Sequence, residues 1–179
     1  MTLANKLTLS RIALVPVFLV FALMDVPFGS LVAAMIFIVA AATDGLDGYF
    51  ARKRNEITNM GKLLDPLADK LLVSGALIAL VEMGQVPSWI AVVIIGREFL
   101  VTGLRGIAAS EGVVVAASPL AKLKTLTQIA ALFMLLLDRY IFDWVGFSLG
   151  IWVLYVALFF TLYTGYDYMV KSFADISME

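Results

Sequence analysis

Six long apolar stretches follow one another with only short links between them. This restricts the fold more than any other property of the chain. The stretches run Arg11–Met24 (extended backward by Lys6–Ser10), Ser30–Phe50, Lys62–Val81, Ser88–Ala109, Leu120–Leu137 and Phe147–Val170. A helix needs roughly 20 residues to cross a bilayer core of about 30 Å, and backbone in lipid must satisfy its own hydrogen bonds, which favours helices over open sheet. Any one stretch could be a buried helix of a soluble core; six in succession read as a membrane bundle. The chain is 62% hydrophobic with a mean hydropathy of +0.98, whereas soluble domains are roughly 45–50% apolar. The expectation is an all-α membrane protein: one domain over residues 1–179, six transmembrane helices, and a short N-terminal interfacial segment within Thr2–Ser10, where Leu3 and Leu7 share a face. No small-residue cleavage site follows the first stretch convincingly, so it is expected to be retained.

Basic residues set the orientation. With the N-terminus inside, Lys6, Arg11, Arg52, Lys53, Arg54, Lys62, Lys70, Arg105, Lys122, Lys124 and Lys171 fall at or near the cytoplasmic side. Arg97 falls within a span, and Arg139 alone lies outside. Both termini are therefore expected in the cytoplasm. Nothing in the chain reads as a nucleic-acid-binding surface.

The sequence has no cysteine and no histidine. Disulfides, thiolate nucleophiles and zinc–thiolate sites are excluded, as are a Ser-His-Asp triad and a phosphohistidine intermediate. Carboxylate, lysine, arginine, hydroxyl and metal chemistry remain.

Against that background stand two charged runs, Asp44-Gly-Leu-Asp-Gly-Tyr-Phe-Ala-Arg52 and Gly61-Lys-Leu-Leu-Asp-Pro-Leu-Ala-Asp69. Ionisable groups at membrane depth are costly, which makes each a functional candidate. Asp44 and Asp47 are three apart and share a helix face; Asp65 and Asp69 are four apart and do the same. A hairpin of the second and third spans lets all four converge near the cytoplasmic end. Four carboxylates with no nitrogen or sulfur donor suit hard divalent cations such as magnesium, and two such ions would balance the four negative charges. Gly45 and Gly48 leave room for a phosphate beside the carboxylates, although close helix packing would also use them. Arg52, one turn beyond Gly48, can donate bidentately to a phosphate. An ion pathway or a structural ion-pair cluster is the competing reading of the aspartates.

A second basic set lies downstream: Arg97-Glu-Phe-Leu-Val-Thr-Gly-Leu-Arg105 in the fourth span and Lys122-Leu-Lys124-Thr-Leu-Thr-Gln128 opening the fifth. Arg97 and Arg105 share a helix face about two turns apart. Arg97, Arg105 and Lys124 facing a cleft would suit a phosphorylated ligand. Anchoring at the cytoplasmic surface is the alternative for Arg105, Lys122 and Lys124, whereas Arg97 is too deep for it.

The string D-x2-D-G-x2-A-R-x8-G-x3-D-x3-D over Asp44–Asp69 resembles the signature of the CDP-alcohol phosphatidyltransferase family, with every fixed position present. The resemblance implies a two-metal site, with Mg2+ or Mn2+ held by Asp44, Asp47, Asp65 and Asp69, that binds a CDP-linked lipid. It also implies that Asp69 takes the proton of an acceptor hydroxyl as this attacks the β-phosphorus, with CMP leaving. Gly48, Arg52 and Thr58 resemble the family's cytidine-diphosphate contacts. Asn5-Lys-Leu-Thr8-Leu-Ser-Arg11 is similar to the amino-terminal segment that closes over the nucleotide. The R-E-x5-L-R and K-x-K-T-x2-Q runs resemble the bacterial phosphatidylglycerophosphate synthase branch, whose substrates are CDP-diacylglycerol and sn-glycerol 3-phosphate; Arg97, Arg105 and Lys124 would then hold the acceptor phosphate. Through the resemblance, a homodimer in a bacterial plasma membrane is expected, with its site facing the cytoplasm. A sibling transferase using serine, an inositol phosphate or phosphatidylglycerol is the nearest alternative, and a magnesium channel or transporter a more distant one.

Overall fold

A computed structural model describes residues 3–24, 26–54, 59–110, 119–141 and 147–176, with side chains described at all of these except 3–4, 44–54, 59–60, 62–63, 109–110, 119, 139, 141 and 171–176. Six α-helices account for nearly all of them: α1 (Leu3–Leu23), α2 (Gly29–Arg54), α3 (Asn59–Glu82), α4 (Ser88–Ser110), α5 (Pro119–Ile141) and α6 (Leu149–Ile176). Each covers one of the expected apolar stretches to within two residues. No break separates an interfacial segment from the first span, because α1 runs unbroken from Leu3 through Pro16. Short links make consecutive helices antiparallel. Helix α1 packs on α2 and α3, α2 on α5, α3 on α4, and α4 and α5 both on α6.

Local chemistry explains the helix ends. Gly84 follows α3 at φ 71°, in the left-handed region that glycine enters without a Cβ penalty. The Gln85 amide donates to the Leu80 carbonyl at 2.9 Å, closing the last turn of α3. Ser148 precedes α6, and its Oγ accepts from the Ile151 amide at 3.4 Å, a long N-cap bond.

The interior is apolar and close-packed. Phe18 and Phe37 meet at 6.1 Å between ring centroids, and Leu72, Leu77, Leu80, Ile90, Ile94, Leu132, Leu136 and Leu154 fill the centre. Ala33, Ala34 and Ala40 on α2 and Ala68, Ala76 and Ala79 on α3 are buried within the chain. Small residues of this kind let helix backbones approach closely in lipid. The outer face is apolar too, with Val92, Leu126 and Phe159 at 70%, 66% and 65% exposure. A water-soluble surface would not sustain so continuous an apolar face; a lipid-facing one does.

Among the described residues, three helical segments are long and apolar enough to cross a membrane by themselves: Asn5–Leu23, Leu120–Asp138 and Leu149–Val170. The expectation of six spans is thus met in part: six helices form, and three of them pass this test. Helix α2 is purely apolar over Gly29–Thr43, and beyond this come the aspartates and Arg52. Helix α3 carries Asp65, Asp69 and Lys70, and α4 carries Arg97, Glu98 and Arg105. Charge is concentrated in the helices that build the site. The opposite end is aromatic: Phe28 stacks on Tyr140 at 6.2 Å, and Phe147 on Trp152 at 6.4 Å. Such rings suit a membrane–water interface.

Candidate functional site

Helix α3 projects Asp65 and Asp69 from successive turns. The face of α1 that packs on α3 carries Asn5, Thr8 and Arg11, all buried, at three-residue spacing. Thr8 Oγ1 donates to Asp65 Oδ1 at 2.6 Å. That bond fixes the Asp65 carboxylate from behind, as hydrogen bonds to a metal-ligating carboxylate commonly do. Asp44, Asp47, Gly48 and Arg52 lie on the described backbone of α2, which packs on α3, but their side chains lie outside the described residues, as does Thr58 altogether. Among the described residues there is no cluster of three or more acidic groups that could hold a metal ion; two of the four expected carboxylates belong to the undescribed set.

Beside Asp69 opens a cavity of about 270 Å³. Its walls are Asp69 and Lys70 of α3, Arg97, Glu98, Thr102 and Arg105 of α4, Lys124 and Thr125 of α5, and Thr164, Asp167 and Tyr168 of α6. Asp69, Arg97, Arg105 and Lys124, which sit on three different helices, border one space. The volume falls just below the roughly 300–1,000 Å³ of sites for drug-sized ligands. Three of its wall residues, Arg97, Arg105 and Lys124, are basic.

A polar network fixes the cations. Glu98 is its hub: Oε1 accepts from Lys124 Nζ and from Arg97 Nη1. Arg97 reaches α6 as well, with Nε donating to the Thr161 carbonyl at 3.0 Å and Nη2 to Thr164 Oγ1 at 2.8 Å. Arg105 lies 5.3 Å from the Tyr168 ring centroid, a cation–π contact. A smaller space of about 30 Å³ continues from Asp69 and Lys124 toward Gln128, enough for about one water or hydroxyl. Among the described residues, Gln128 Nε2 and Tyr168 Oη are buried with no hydrogen-bond partner, so two polar groups near these walls are open to a ligand.

The contribution of α6 was not anticipated from the sequence. Thr161, Thr164 and Tyr168 recur at helical spacing inside an otherwise apolar span, with Gly165 between them. That polar stripe was the available signal. Glu98, the neighbour of Arg97 in the sequence, pairs with Lys124 and Arg97.

Comparison with known proteins finds relatives along nearly the whole chain. A sequence profile described as CDP-alcohol phosphatidyltransferase matches residues 1–163. The chain is 48% identical to the CDP-diacylglycerol–glycerol-3-phosphate 3-phosphatidyltransferase of Bacillus subtilis, covering 95% of this chain and 94% of the relative. It is 42% identical to the enzyme of the same name from Rickettsia bellii, over 93% and 92%. A plant relative, CDP-diacylglycerol–glycerol-3-phosphate 3-phosphatidyltransferase 2 of Arabidopsis thaliana, is 42% identical over 77% of this chain and 65% of its own.

Proposed function

The chain belongs to the CDP-alcohol phosphatidyltransferase family, and from that premise we propose the following reaction and division of labour. The enzyme transfers the phosphatidyl group of CDP-diacylglycerol to sn-glycerol 3-phosphate, giving phosphatidylglycerophosphate and CMP. The observation that carries this reading is the cavity in which Asp69 meets Arg97, Arg105 and Lys124. Three cations around a space of this size match a small phosphorylated alcohol, and a carboxylate at its edge matches the proton acceptor such an alcohol needs.

The acidic set fits divalent cations. Its donors are all oxygen, Asp65 and Asp69 share a face of α3, and Thr8 orients Asp65. Asp44, Asp47, Asp65 and Asp69 would hold two ions, Mg2+ or Mn2+. When bound, these ions supply charge neutralisation for the diphosphate and for the departing CMP. Asp69 accepts the proton of the acceptor hydroxyl. The hydroxyl oxygen forms a new bond to the β-phosphorus as the bond from that phosphorus to the bridging oxygen breaks, and CMP leaves with that oxygen and its electron pair. Arg97, Arg105 and Lys124 grip the acceptor phosphate and so orient the hydroxyl; positioning supplies much of the catalysis in phosphoryl transfer. Gly48, Arg52 and Thr58 contact the cytidine diphosphate, with Asn5 and Thr8 closing from α1.

The same proposal covers the setting. All six helices cross the membrane as a single domain of residues 1–179, both termini and the site face the cytoplasm, and the protein is a homodimer in a bacterial plasma membrane. The distribution of lysine and arginine supports this orientation.

The test is CMP release by purified protein in detergent with CDP-diacylglycerol, magnesium and a panel of acceptors. Release with glycerol 3-phosphate, and not with serine, inositol, inositol phosphate or phosphatidylglycerol, is the expected result. Release with another member of the panel alone refutes the acceptor assignment.

A further inference from the structure

We infer that Thr164 and Gly165 of α6 are positioning residues that set where the acceptor phosphate binds, by clamping the Arg97 guanidinium from behind. The inference rests on the acceptor reading above and goes beyond it, because neither residue carries a charge or belongs to a recognised motif.

Three features converge on Arg97. Its Nε donates to the Thr161 carbonyl at 3.0 Å, and its Nη2 to Thr164 Oγ1 at 2.8 Å. Thr164 Oγ1 itself donates to the Phe160 carbonyl at 2.7 Å, which turns its lone pairs toward the guanidinium. Gly165 supplies the space: a Cβ there would lie 3.1 Å from both Arg97 Cγ and Nε. Thr161 and Thr164 are buried, so their bonds to Arg97 are largely shielded from solvent. An arginine has a long, flexible stem and loses much rotamer freedom when fixed. Holding two edges of the fork in place before the ligand arrives removes that loss from the binding step. The effect acts on the acceptor and spares the CDP-lipid, whose proposed contacts, Asn5, Thr8, Gly48, Arg52 and Thr58, all lie outside α4 and α6.

The experiment compares Thr164→Val, Gly165→Ala and Thr164→Ser with the wild type in the CMP-release assay, varying glycerol 3-phosphate and CDP-diacylglycerol separately. Valine keeps the shape and removes the oxygen. Losing one hydrogen bond to a charged group corresponds to about a tenfold rise in KM for glycerol 3-phosphate. Gly165→Ala, which displaces Arg97, is expected to raise the same KM at least as far. KM for CDP-diacylglycerol should move less than twofold in both, and Thr164→Ser should stay near wild type because it keeps the hydroxyl. An unchanged glycerol 3-phosphate KM in Thr164→Val and Gly165→Ala overturns the inference. So does a parallel rise in both KM values with failure of the serine variant, which marks a general packing role. If the wild type itself does not use glycerol 3-phosphate, the acceptor reading fails first and this inference falls with it; normal wild-type turnover with unaffected variants sinks the inference alone.

Discussion

Glu98→Gln should destabilise the protein more than Lys124→Met, although each removes one partner of the same ion pair. The Glu98 and Lys124 side chains are only 18% and 6% exposed, so their interaction is poorly screened. Glu98 serves two cations. Changing it to an amide leaves Lys124 and Arg97 in one pocket with no carboxylate between them. Removing one member of a buried pair costs about 3–5 kcal/mol; partial exposure and the acceptor oxygen retained by glutamine bring this to about 3 kcal/mol. Lys124→Met deletes a charge in favour of an apolar stem of similar length and leaves Glu98 paired with Arg97 at 3.4 Å. Exchange of a buried charge for an apolar group of similar volume is often close to neutral, and about 1 kcal/mol is expected here. For a chain of this size each kcal/mol shifts Tm by about 2–4 °C. Glu98→Gln should therefore lower Tm by about 6–12 °C and Lys124→Met by about 2–4 °C. The measurement is thermal unfolding in one detergent at matched scan rate, since unfolding there can be irreversible. An equal or larger loss in Lys124→Met would refute the view of Glu98 as the hub.

Three further outcomes are expected. Asp69→Asn should lower kcat by about 10²–10⁴-fold, the range for loss of a general base, while CDP-diacylglycerol still binds in a direct binding assay; normal turnover would remove Asp69 from that role. Thr8→Val should raise the magnesium concentration for half-maximal activity by about 10-fold or more, as loss of a hydrogen bond behind a metal ligand does, and a metal titration of CMP release reads this. Gly150→Ala should destabilise the α5–α6 contact by about 2 kcal/mol through overpacking, because the new Cβ would lie 2.9 Å from the Leu135 backbone nitrogen; an unchanged unfolding temperature would count against this packing.

Much of this arrangement was readable in advance, for identifiable reasons. Apolar runs long enough to span lipid can do little but form helices, so the six helices followed from length and composition. The spacing of Asp65 and Asp69 placed them on one face because helical periodicity is local. Arg97 and Arg105 shared a face by the same argument. What periodicity cannot give is rotation of one helix against another. That Glu98 receives both Lys124 and Arg97, or that Arg97 lies along Gly165, depends on how α4, α5 and α6 turn toward each other. The threonines of α6 were overlooked because threonine in an apolar helix commonly bonds its own backbone, as Thr161 does to the Ala157 carbonyl at 2.6 Å. The unequal hydropathy of the helices was hidden for a related reason: counting spans treats α3 and α4 like α6, although both carry several charges well inside their ends.

The depth of Arg97 has an electrical consequence. It lies nine residues past Ser88, the first residue of α4, so only about 14 Å of helix separates it from the aromatic end of the bundle. A plug of that thickness, packed with Ile90, Ile94, Leu132 and Leu136, is about half of a bilayer's hydrocarbon core. If the cavity is filled with water, most of the transmembrane voltage falls across the plug and the remainder along the cavity itself. In the proposed orientation, with the cell interior negative, a dianion moving inward along the cavity travels down part of that drop. Each full elementary charge crossing 100 mV is worth about 2.3 kcal/mol, so even a fraction of that path couples acceptor binding to the energised state of the membrane, a dependence that detergent assays abolish and sealed vesicles with an imposed potential restore.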